Sequence, residues 1–156
     1  MTRRFAQSTS VSVEKSKAEI EGLLSRYGAT AFASGWQAGR AQIQFEAQGR
    51  RIRFILPLPA QNEKRFTMSP ARGKPVSADA ALKAWEQACR QSWRALALVV
   101  KAKLEAVAAG ISEFENEFLA NIVLPDGGTV AEHVKPQIAI MYETRAMLPM
   151  LESPRN

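Results

Sequence analysis

A single cysteine, Cys89, and a single histidine, His133, are all that the chain offers among the side chains that most often carry redox, metal or nucleophilic chemistry. One thiol cannot close an internal disulfide, and no Cys or His pair stands at metal-ligand spacing, which excludes a disulfide framework and a local zinc motif. A reducing, cytoplasmic setting is the expectation. Long apolar runs are also lacking. The longest, ALALVV at residues 95–100, falls far short of the roughly 18 residues that a bilayer-crossing helix needs, so no membrane partner is expected. The opening MTRRFAQSTS carries two arginines with no apolar stretch behind them and does not read as a secretory leader. Neither a phosphate-binding loop, a dinucleotide-binding glycine pattern nor a nucleophile elbow is found, so no cofactor and no enzymatic activity are expected.

What the chain has in excess is positive charge, and it is concentrated. The net charge of the 156 residues is +6. The stretch GRRIRFILPLPAQNEKRFTMSPARGK, residues 49–74, holds Arg50, Arg51, Arg53, Lys64, Arg65, Arg72 and Lys74 against Glu63 alone, which equals that whole surplus. Residues 111–156, by contrast, carry three basic and seven acidic side chains, so the chain is electrically polarised. Charge of this kind speaks about partners and association rather than about fold.

Length and a hydrophobic content of 46% are enough for one domain with a buried core. Residues 1–10 read as a polar, flexible tail, and Val11 and Val13 alternate with serine and glutamate like a short edge strand. Ser16 with Glu19 has capping-box spacing ahead of Ile20, Leu23, Leu24 and Tyr27, and Gly28 stops that helix. Three strands follow, over 30–36, 41–47 and 51–56. In the last two, Ala41, Ile43, Phe45 and Ala47, then Ile52, Phe54 and Leu56, occupy one face, with Arg51, Arg53 and Ile55 on the other. Pro57 and Pro59 end the hairpin. Residues 60–77 have neither periodicity and read as a long basic loop, a length that inside a compact domain is commonly functional.

A long helix is expected over 78–109, with Ser77 as its cap and a stripe of Leu82, Trp85, Cys89, Trp93, Leu96, Val100, Leu104 and Val107 turned to the core. Residues 111–156 read as a helical C-terminal extension: Ser112 and Glu115 repeat the capping spacing, and Thr129 caps a helix that Pro136 either kinks or splits. The expected fold is α+β, with a small antiparallel sheet of three to four strands packed by the first helix and the long central one.

Candidate contacts for a nucleic acid are Arg51, Arg53, Lys64, Arg65, Phe66, Arg72 and Lys74, with Arg90, Arg94 and Lys101 as a second row. Those last three share a helical face with Lys83, away from the tryptophans. Neutralising phosphates releases condensed counterions, which gives affinity without base reading. Phe66, beside Arg65, and Trp36 are the rings that could stack on bases. The competing reading is structural: Arg51 and Arg53 could pair across the hairpin with Glu46, Glu86 lies near Lys83 and Arg90, and the rings could be burying apolar area. Trp85 and Trp93 around Cys89 read as helical core, and Glu113, Glu115 and Glu117 do not all share a face.

The stretches VSVEKSKAEIEGLLSRYGATAFASGW, KAWEQACRQSWRALALVVKAKLEAV and FLANIVLPDGGTV resemble those of small uncharacterised proteins from the early regions of bacteriophages and prophages. The resemblance implies a phage context, in which small basic proteins serve replication, recombination or interference with host defence. It carries no site residues. The order helix, three strands, helix also resembles the double-stranded RNA-binding domain, in topology only. That family's basic motif opens its second helix, whereas SADAALKAW has Lys83 as its only early cation, so the assignment is not adopted.

Two functions are therefore expected to compete. One is a non-enzymatic nucleic-acid-binding accessory protein. The other is a protein-interaction module, an inhibitor of a host enzyme or a self-assembling homo-oligomer, acting through the acidic C-terminal helices or the apolar tail at residues 147–151.

Overall fold

The computed structural model describes residue 6 and residues 8–149. Its first helix, α1 (Val13–Arg26), begins one turn earlier than the capping-box spacing suggests. The Ser12 hydroxyl accepts from the Lys15 amide, and Ser16 lies inside the helix, fully buried. Val13 therefore belongs to the helix and packs on the core, and the expected edge strand does not form. Ser12 is a capping residue type as good as Ser16, and a start there lets Val13 join Ile20 and Leu24 on the apolar face of the helix. In the tail, the described part is held in place: the Gln87 side chain donates to the Thr9 carbonyl at 2.8 Å, and Ala6 is buried.

Strands β1 (Ala31–Gln37), β2 (Arg40–Ala47) and β3 (Arg50–Pro57) form one antiparallel meander in the order β1-β2-β3. The register sets Phe32 against Phe45 and Phe45 against Ile52, so these side chains share the inner face. Tight turns link the strands, and Gly39 and Gly49 take φ of 79° and 72°, which a side chain would oppose. Pro57 is the last residue of β3 rather than the first beyond it, a place where an absent N–H costs nothing to an edge.

The long helix α3 (Ala78–Ala108) is capped by Ser77, whose hydroxyl accepts from the Ala80 amide. Its second half lays Trp93, Leu96, Ala97, Val100 and Leu104 on the sheet's inner face, where α1 adds Ile20, Leu23 and Leu24. Arg94 on α3 pairs with Glu19 on α1 across that contact.

The C-terminal part begins with two short turns, α4 (Phe114–Glu117) and a 3-10 turn at Leu119–Asn121. Ser112 does not cap; Glu113 is the boundary residue. The chain breaks because Phe114, Phe118 and Ile122 must all reach the core beside β3. Phe118 is fully buried, edge-on to Phe45 and Phe54 at 5.8 and 6.2 Å between ring centres. The Val123 amide donates to the Arg51 carbonyl at 2.8 Å, so this segment lines the edge of β3. Thr129 and Glu132 form a full capping box for α5 (Val130–Thr144), which continues through Pro136. Among the described residues no helix is long and apolar enough to cross a membrane.

Candidate nucleic-acid interface

Once Pro57 and Pro59 have released the chain from the sheet, residues 60–77 are ordered by their own contacts. Glu63 accepts the Ala60 amide on one carboxylate oxygen and the Arg65 Nε on the other, at 3.0 and 2.6 Å. Those bonds, the Ala60 amide first, hold its carboxyl below the usual value of 4.5. A short helix α2 (Lys64–Thr67) follows and lies against α3. Phe66 is its anchor. It is only 6% exposed, with the Arg65 guanidinium 4.5 Å from its ring centre, so the expectation of an open ring for stacking is corrected. An apolar ring in a polar segment is what pins that segment to α3.

Beyond α2 the chain folds back on itself. The Val76 amide donates to Thr67, the Ser69 amide to Lys74 and the Gly73 amide to Ser69, at 2.7 to 2.9 Å. Gly73 has φ of 62°, which the reversal requires. The outcome is a folded projection that holds Lys64, Arg65, Arg72 and Lys74 out to solvent with Glu63 as its only acid. Arg65 is paired with Glu63, whereas the side chains of Lys64, Arg72 and Lys74 have no hydrogen-bond or ion-pair partner among the described residues.

The remaining candidate cations lie elsewhere. Arg51 stands opposite Glu46 and pairs with it at 2.9 Å, on the sheet face turned away from α1 and α3. Arg53 stands opposite Gln44 and donates to the Gly127 carbonyl at 2.9 Å, clamping the turn before α5. Arg50 pairs with Glu115. On α3, Lys83 pairs with Asp79 and Arg94 with Glu19, Arg90 donates twice to the Gln87 amide oxygen, and the exposed Lys101 side chain has no partner among the described residues. The ten sequence candidates therefore divide between the outer sheet face, the loop and α3, and the loop alone gathers several uncompensated charges.

Next to that loop lies a feature that local sequence patterns do not reveal. A cleft of about 800 Å³ opens between the start of α1, the β1–β2 turn, residues 58–61 and the first half of α3. All three tryptophans border it. Trp85 is half-buried and fixed by its Nε1 bond to the Pro59 carbonyl, at 2.8 Å. Trp93 is buried at the base, with the Lys17 ammonium 4.9 Å from its ring centre. Trp36 comes from the hairpin tip and is 81% exposed. Glu14, Lys17, Glu86 and Arg90 add two charges of each sign to the walls. Trp85 and Trp93 follow helical spacing and read as core, and only the tertiary arrangement brings Trp36 to them.

Other reactive groups are engaged. Burial, followed by the Glu86 carboxylate, pushes the Cys89 thiol up, away from thiolate. His133 pairs with Asp126 at 2.7 Å, and Glu117 with Lys103 at 3.2 Å. Among the described residues no cluster of three or more His, Cys, Asp or Glu side chains could hold a metal ion. Comparison with family models, with curated proteins and with solved structures brings no match for this chain.

Proposed function

We propose that the protein is a non-enzymatic nucleic-acid-binding accessory protein that grips phosphates with the folded loop at residues 62–75. The observation that carries this reading is the local imbalance: Lys64, Arg72 and Lys74 are exposed and uncompensated on an ordered scaffold. Such a surface gains affinity by displacing the counterions of a phosphate chain. Arg51, Arg53 and Arg94 stand outside the proposed surface because each is already engaged within the fold. Arg90 and Lys101, on α3, are secondary contacts in this reading. The phage resemblance supports a role in replication, recombination or counter-defence. The test is a binding titration with labelled single- and double-stranded DNA and RNA at several salt concentrations. Steep weakening with salt supports the reading, and no binding to any of the four sinks it.

A second reading is favoured by α5. Its Ile138 and Tyr142 side chains, one turn apart on a single face, are exposed, as is Ile140 on the other side, and none of its residues is buried. Exposed apolar side chains on a helix suit a protein partner or a second copy. The apolar tail starts with exposed Met147 among the described residues, and residues 150–151 of it lie outside them. Light scattering that returns a stable multimer, together with no affinity for nucleic acid, would favour this reading over the first.

A further inference from the structure

We infer that the tryptophan cleft receives an unstacked nucleobase of a single strand whose phosphates the loop holds, a step that rests on the nucleic-acid reading and names the strand type. Trp85 and Trp93 are rigid walls, one tied to Pro59 and the other buried beneath Lys17. Trp36 stands opposite the buried Ala41, so its ring lies on the inner-face side of the hairpin tip, and it leaves 81% of its surface open beside them. A flat ring exposed next to an apolar concavity is what base stacking uses.

The polar groups select the occupant. Lys17 and Arg90 are balanced by Glu14 and Glu86, whose carboxylates make no hydrogen bond or ion pair among the described residues, so the cleft itself does not attract phosphate. Together with the Gln37 and Gln61 amides they offer both donors and acceptors, matching the mixed edge of a base. Continuity supplies the rest. Gln61 is on the cleft wall, and Lys64 begins the basic loop three residues later, so a strand leaving the cleft meets cations at once.

The test compares the full-length protein with Trp36→Ala, using a short labelled oligothymidylate and an abasic oligomer of equal length. Trp36 is exposed, so its removal leaves the core intact, which circular dichroism checks. The expected result is that Trp36→Ala weakens oligothymidylate binding about 5- to 100-fold, the range that base–aromatic stacking supplies. Abasic binding and the salt slope stay unchanged, and wild-type tryptophan emission is quenched by oligothymidylate alone. If wild type binds both oligomers and Trp36→Ala binds them equally well, the cleft inference is overturned while loop binding stands. If wild type binds neither, the nucleic-acid reading fails and this inference with it. Quenching by an apolar peptide and by neither oligomer also overturns it.

Discussion

The indole Nε1 of Trp85 donates a 2.8 Å hydrogen bond to the carbonyl oxygen of Pro59, joining the long helix to the point where the chain leaves the sheet. One bond thus fixes a wall of the cleft and the root of the basic loop. Trp85→Phe keeps most of the ring and removes the donor. The expected cost is about 1 kcal/mol, the usual net worth of such a bond. A lower urea midpoint with an unchanged slope would show it; an unaltered midpoint would mean that solvent satisfies the Pro59 carbonyl equally well.

Phe118 joins the C-terminal turns to the sheet through its edge-on contacts with Phe45 and Phe54. Phe118→Ala is expected to destabilise the fold by about 3–5 kcal/mol, the range for a buried aromatic truncated to alanine. A double-mutant cycle with Phe45→Leu should return a coupling of about 0.5–1.5 kcal/mol from the ring pair. Independent, additive effects in thermal or denaturant unfolding would contradict that contact.

Glu63 gives the loop a pH dependence of known sign. Its carboxylate is favoured by the Ala60 amide and then by Arg65, so its folded pKa lies below the usual 4.5. A lowered acid contributes stability that is complete above its unfolded value and is lost as pH falls through the folded one. Loop protection in amide exchange should therefore hold steady from neutral pH to about 4.5 and decline below it, and Glu63→Gln should abolish the decline. A carboxyl that titrates at or above 4.5 by NMR would contradict the assignment.

The α+β class, the three-stranded sheet and the long helix were legible because period-two alternation in β2 and β3 and the three-and-four spacing of α3 are local patterns. The start of α1 was misread because Ser12 and Ser16 are equivalent as cap signals until Val13 is known to touch the core. Phe66 was misread for a similar reason: its neighbours are polar, and its burial depends on α3, which follows later in the chain. The charge excess was visible, and so was the pairing of Arg51 with Glu46 across the hairpin; the pairing of Arg94 with Glu19 was not, since it depends on how α1 docks on α3, nor was the register that sets Arg53 opposite Gln44 instead. The cleft was illegible altogether, because only the folded topology brings Trp36 and Trp85 to the walls of one concavity.

The central claim is tested most directly by reversing the loop's free charges. Fluorescence anisotropy with a labelled single strand, across a salt series, would compare wild type with the triple variant Lys64→Glu, Arg72→Glu, Lys74→Glu and with Arg51→Gln on the outer sheet face. The account predicts that the triple variant loses most of its affinity and that its slope of log affinity against log salt falls by about 2, the loss of three phosphate contacts on a single strand. Arg51→Gln should bind like wild type. Unchanged affinity and slope in the triple variant, or a loss confined to Arg51→Gln, would contradict it.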